Sequence, residues 1–280
     1  MNTRAEILQM VKDGVITQEE AQRLIEALST SETQESGKAE ETVRPPEGRF
    51  EGVSPETEKP RRNVRIEVDV GGLQLLPSWD EKLRSEVKMH SIGDRLTNYS
   101  YGTEDRDGET YLYLKRKMFL PWGKNGGATL VVYVPRDIIA LSCKVNVGGC
   151  QVENICVEVL KIRTDTGGAK LNKVKTKETE VRLSTGGIDY GRGNRASNRL
   201  KLKTDVGAVT AFLPLDQGFH LFYRTNVGKL IDKLPSHIRI MKTGGQSIVG
   251  DSGEILYGNG TCEIQIEAAT GAIQLKEDKG

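Results

Sequence analysis

The chain has 280 residues, with 40 Lys and Arg against 39 Asp and Glu, 31 glycines and 5% aromatic residues. That length allows one large domain plus an appendage, and the near cancellation of charge excludes a global field that would favour nucleic acid. Few aromatics and many glycines suit short strands and tight turns rather than helices packed around aromatic cores.

Residues 1–28 carry helical periodicity. Thr3 followed by Glu6, and Thr17 followed by Glu20, are capping-box spacings in which hydroxyl and carboxylate satisfy orphan amide donors. Asp13-Gly14 separates the two helices. Ile7, Leu8 and Val11 share a face of the first, and Ala21, Leu24, Ile25 and Leu28 a face of the second. A hairpin this small cannot hold itself together by burial alone. Its stripe (Ile7, Leu8, Val11, Leu24, Ile25, Leu28) is therefore expected to self-associate or to dock on a protein partner. Glu19, Glu20 and Glu26 argue against a DNA-reading helix, since phosphate would repel them. Residues 29–62, rich in Ser, Thr, Glu and Pro, read as a disordered linker with too little apolar surface to offset chain entropy.

From residue 63 onward the period is two. Val64, Ile66, Val68 and Val70 alternate, and Tyr111–Leu114 and Leu130–Val134 read as further strands in an irregular opening section over 63–140. Regular units are expected over 141–280. Eight times a polar or small residue, a β-branched residue and a glycine follow one another, as in Asp69-Val70-Gly71, Asn146-Val147-Gly148 and Ala269-Thr270-Gly271. From Gly148 to Gly228 these glycines lie 19, 19, 21 and 21 residues apart. Apolar residues follow at the second and fourth positions: Cys150/Val152, Ala169/Leu171, Ile188/Tyr190, Val209/Ala211 and Ile273/Leu275. A strand, a bend and a strand in about twenty residues fit one coil of a single-stack β-solenoid, and seven coils at strand spacing would stand roughly 34 Å tall. An antiparallel sandwich is the alternative. The last coil would need covering, and Asp251-Ser252-Gly253 is a candidate additional bend.

Cys143, Cys150 and Cys262 fall on inward positions and read as core thiols. No C-x-x-C pair exists, and His90, His220 and His237 are scattered, so neither a metal centre nor a cofactor is expected. Serine-nucleophile and zinc-hydrolase motifs are absent as well, and no catalytic residue is assigned. One enzyme alternative, a carbohydrate-active β-helix, would require two or three of Asp189, Asp205, Lys201 and Arg199 to converge in a groove within hydrogen-bond reach of one point. Twelve basic residues against four acidic ones occupy Lys161–Lys203. Lys170, Lys173, Lys175, Lys177, Arg192, Arg195, Arg199, Lys201 and Lys203 are thus the candidates for an anionic envelope polymer or membrane surface. Nucleic acid is disfavoured by the scarcity of aromatics for base stacking.

Localisation follows from composition. The N-terminal residues lack the apolar core of a secretory signal, and the Leu130–Val134 run ends at Pro135, too short to span a bilayer. A cytoplasmic protein is expected, with association with the cell envelope as a further expectation.

Residues Ile7–Ala21 resemble the short helical domain called SHOCT-like. The strand ending in Pro135, followed by repeated glycine units, resembles the bacterial "putative adhesin" β-strand-repeat family. This pairing is similar to proteins linked to cell-envelope stress responses. The resemblance implies a non-enzymatic scaffold, adhesin or sensor, and brings no catalytic residues with it.

Overall fold

The computed structural model describes residues 62–90, 98–106, 108–117, 127–238, 241–242 and 250–279. The chain divides into Met1–Glu56 and Thr57–Gly280, and every described residue belongs to the second unit. The helical hairpin, its apolar stripe and nearly all of the linker therefore lie outside the described residues, as do Trp122 and Gly244.

Period-two alternation becomes strand at Val64–Val70, Tyr111–Leu114 and Leu130–Val134 and before the bend glycines of the middle units. The opening part holds β1 (Arg62–Val70), β2 (Gly72–Pro77), β3 (Arg84–Met89), β4 (Tyr99–Arg106), β5 (Glu109–Arg116) and β6 (Ala128–Val134). The middle holds β7 (Ile138–Val147), β8 (Cys150–Glu153), β9 (Val159–Thr166), β10 (Ala169–Asn172), β11 (Lys175–Thr185), β12 (Ile188–Tyr190), β13 (Arg195–Val206) and β14 (Val209–Pro214). Last come β15 (Phe219–Val227), β16 (Leu230–Lys233), β17 (Met241–Lys242), β18 (Asp251–Tyr257), β19 (Cys262–Thr270) and β20 (Ile273–Asp278). Among the described residues no helix is long and apolar enough to cross a membrane.

The strands form two parallel-rich sheets. The larger runs β17-β18-β15-β19-β13-β11-β9-β7-β1-β5-β4, and the smaller runs β16-β20-β14-β12-β10-β8-β2-β6-β3. From β5 to β15 every neighbour in the larger sheet is parallel. Among the described residues antiparallel pairs occur only towards the ends, at β3–β6, β4–β5, β15–β18 and β17–β18. The sandwich alternative required antiparallel pairing throughout, and this topology departs from it. Asp251-Ser252-Gly253 belongs to the antiparallel β18 rather than to an additional bend.

Stacking order is not chain order. The β1–β2 pair lies between β5–β6 and β7–β8, and β19–β20 lies between β13–β14 and β15–β16. Both pairs nearest the termini are thus bonded on two sides, while the antiparallel β3, β4 and β18 lie over the outer pairs. Capping of this kind meets the need to cover open strand edges. It also makes β1–β2 a full member of the stack, although its stretch of sequence reads as irregular.

At the bend between paired strands, Gly71, Gly148, Gly167, Gly186, Gly207, Gly271 and Gly228 line up with φ of 139–149°. A Cβ on Gly167 would fall within 3.0 Å of the Gly148 carbonyl oxygen, and each neighbour repeats that crowding. The Gly167 amide donates to the Thr185 carbonyl at 2.9 Å and the Gly148 amide to Thr166 at 2.8 Å. The β-branched residue before each glycine therefore supplies the acceptor that carries the hydrogen-bond ladder around the corner. At one bend the polar residue a step earlier also bonds across strands, the Asn146 amide donating to the Asp69 carboxylate at 3.1 Å.

The core lies between the sheets. Cys150, Ala169, Ile188, Val209 and Ile273 are consecutive partners across β8, β10, β12, β14 and β20, and all are buried. Val152, Leu171, Tyr190, Ala211 and Leu275 form the next row. Cys143, Cys150 and Cys262 are buried free thiols, and Cys156 is exposed. Burial pushes the Cys143 thiol well up and that of Cys150 to about 12, which leaves them packing as small hydrophobes.

Candidate functional site

With the interior filled, the outward rows of the larger sheet carry the charged chemistry. Alternation sends every second residue of β7, β9, β11 and β13 to solvent, and in-register pairing turns those residues into rows across the strands. The position four before each bend glycine holds Lys144, Arg163, Arg182 and Lys203, which are successive Cα partners. Glu67 on β1 and Glu267 on β19 flank these four cations, with Lys144 Nζ at 3.9 Å from Glu67 and Lys203 Nζ at 3.3 Å from Glu267. Arg224 on β15 follows beyond Glu267. The next row holds Lys161, Glu180 and Lys201, and Arg182 bonds Glu180 on its own strand. Over the four outward rows nearest the bend, these strands carry Lys144, Lys161, Arg163, Arg182, Arg199, Lys201 and Lys203 against Asp165, Glu178, Glu180 and Asp205.

A depression of about 210 Å³ lies in this face, ringed by Lys161, Arg182, Arg199 and Lys201 with Glu178 and Glu180. Arg199 is also 4.0 Å from Glu263. At the margin, the Tyr111 hydroxyl donates to the Glu67 carboxylate at 2.5 Å. That bond holds the Glu67 carboxyl below its ordinary value, while burial and the bond push the Tyr111 phenol up to about 12.

The predicted basic residues divide among several places. Arg199, Lys201 and Lys203 stand together on the outer face of β13. Lys170 projects from β10 on the smaller sheet, and Lys173 occupies the β10–β11 turn at φ 53°. Lys175 and Lys177 begin β11 beside a separate depression near Cys156, with Lys177 Nζ 3.0 Å from Glu158. Arg192 lies over the Phe212 ring, 5.4 Å from its centre. Arg195 is committed to Asp216 at 2.9 Å and to the buried Asp278 at 3.5 Å. Lys144 completes the row from outside the predicted stretch. Aligning the chain on its bend glycines and reading the fourth residue before each would have found it.

The four candidate residues of the enzyme alternative, of which two or three would have to converge, are divided between sheets. Asp189 lies on β12 of the smaller sheet, whereas Arg199, Lys201 and Asp205 lie on β13 of the larger. Arg199 and Lys201 share the depression, which neither Asp189 nor Asp205 lines. Among the described residues no group of three His, Cys, Asp or Glu side chains could hold a metal ion.

The fold and its outward charge define a mainly β, two-sheet protein with a polar external face. The family model of the SHOCT-like domain matches residues 2–33. Similar solved structures include a "putative cell adhesion protein" from Clostridium sporogenes at 13% identity, covering 77% of this chain and 93% of that one with a TM-score of 0.46. A "putative adhesin" from Bacteroides fragilis, also at 13% identity, covers 76% of this chain and 92% of that one with a TM-score of 0.42. No curated protein matches the chain.

Proposed function

We propose that the chain is a non-enzymatic scaffold or sensor, adhesin-like in kind, which binds its partners on the exterior of a single-stack β-solenoid. In this reading the two sheets are the two faces of the coils, and the N-terminal hairpin self-associates or docks on a protein. A bacterial, cytoplasmic setting linked to cell-envelope stress, with association with the envelope, belongs to the same proposal. The observation that carries it is the uninterrupted apolar ladder from Leu73 through Cys150 to Ile273, which commits the interior to packing and leaves the outward rows for recognition. The depression shared by Arg199 and Lys201 is lined by neither Asp189 nor Asp205, which supports the non-enzymatic part.

Light scattering on the full chain and on a chain lacking residues 1–28 tests self-association. A fall in oligomeric mass on deletion is expected, and an unchanged mass refutes that part. Incubation with an acidic polysaccharide tests the non-enzymatic part. Release of reducing ends that disappears in an Arg199→Gln/Lys201→Gln variant would overturn it.

A further inference from the structure

We propose that the outer face of β7, β9, β11 and β13 binds a linear polyanion that lies across the strands along the Lys144–Arg163–Arg182–Lys203 row. This rests on the scaffold reading and gives it a ligand class.

The row places one cation on each of four adjacent strands, in register, so three steps at strand spacing extend roughly 14 Å. Like charges directly opposite one another on a sheet face are destabilising. Here Arg163 is the Cα partner of both Lys144 and Arg182, and Arg182 of both Arg163 and Lys203. Neighbouring carboxylates offset this repulsion unevenly. Glu180 takes Arg182, and Glu67 and Glu267 take the two ends, while Arg163 has no ion-pair partner among the described residues. Lysines that guard a sheet against aggregation belong on its edges. These cations do not: β1, β5 and β4 separate β7 from one edge, and β19, β15, β18 and β17 separate β13 from the other. A run of cations kept in mid-sheet, at a cost in repulsion, matches a ligand that brings regularly spaced negative charge.

A thread fits better than a membrane. On these four strands the only large apolar side chains exposed are Val147 and Val206, both at the bend, so the cationic rows offer nothing to insert among acyl chains. In the depression beside the row Glu180 stands in register between Lys161 and Lys201, so that second row is mixed in sign and the four-cation row is the track left to an anion.

The experiment uses the full chain with linear inorganic polyphosphate, followed by calorimetry at several salt concentrations. Binding that weakens as salt rises is expected. Arg163→Gln/Arg182→Gln should weaken it roughly tenfold, whereas Lys233→Gln/Lys276→Gln, an equal charge change at an in-register pair on the smaller sheet, should leave it within about twofold. Orthophosphate at the same phosphate concentration should compete poorly. Thermal unfolding checks the fold of each variant, and relief of repulsion should leave the row variant at least as stable as the parent. Equal losses in both variants, salt-insensitive binding or no binding would overturn the proposal. Anionic phospholipid vesicles that bind through Arg163 and Arg182 where polyphosphate does not would overturn the thread in favour of a membrane. Failure of polyphosphate to bind, with mass still falling on removal of residues 1–28, would overturn the ligand and leave the scaffold.

Discussion

Each glycine pair at the bend holds two residues under different constraints, and Gly167→Ala against Gly168→Ala separates them. Gly167 has φ 140°, and its added Cβ would fall within 3.0 Å of the Gly148 carbonyl oxygen, a backbone atom that cannot turn aside. Strain at such a dihedral costs about 1–3 kcal/mol. Moving the strands apart also weakens the Gly167-to-Thr185 and Gly148-to-Thr166 bonds, at about 1 kcal/mol each. The sum, about 3–5 kcal/mol, lowers the melting temperature by roughly 6–20 °C for a domain of this size. Gly168 lies outside the positive-φ region, and its Cβ would meet the Gly187 oxygen at 3.4 Å, an ordinary contact. Ala208 and Ala272 already occupy the equivalent position on other strands. Gly168→Ala should therefore be neutral, or stabilising by about 0.5–1 kcal/mol through the unfolded chain. Calorimetry of both variants is the assay. Equal melting temperatures for the two, or a larger loss at Gly168, would refute the stacking argument.

Asn194 is buried, accepts from the Val174 amide at 2.8 Å and donates to the Leu171 and Gly191 carbonyls. Asn194→Ala should cost about 2–4 kcal/mol by leaving these groups unpaired, with faster hydrogen exchange at Val174 as the local readout. Native thiol titration should find one fast-reacting cysteine, Cys156, and all four should react on unfolding; a second fast thiol in the native protein would contradict the core assignment. Glu67 has a lowered folded pKa, so its contribution to stability is present above the unfolded carboxylate value and is lost as pH falls through the folded one. Glu67→Gln should accordingly flatten the loss of stability on the acid side, while an unchanged pH profile would deny the Tyr111 bond any role.

Local features were legible because each is written in a few adjacent residues. Cys150 could be placed in the core since it sits two residues after a bend glycine, where the other units have Ala, Ile and Val. The candidate face was half legible. Arg199, Lys201 and Lys203 share a strand face, and period two reveals that much. Lys170 is near them in sequence but lies on β10 of the smaller sheet, because the bend after β9 transfers the chain there. Arg192 falls between β12 and β13 over the Phe212 ring, and Arg195, although it begins β13, is committed to Asp216 and Asp278. Lys144 and Glu67 join the row through register with distant strands.

The sequence by itself determined the bend positions, the inward ladder and the strand alternation, since glycine at positive φ and period-two burial act over a few residues. Only the tertiary structure decided which units are neighbours. Every bend presents nearly the same row of amides and carbonyls, so no local pattern tells β1 to pair with β5 and β7, or β19 with β13 and β15. That choice rests on long-range pairing, in which the two terminal strand pairs are bonded on both sides and antiparallel strands cover the ends.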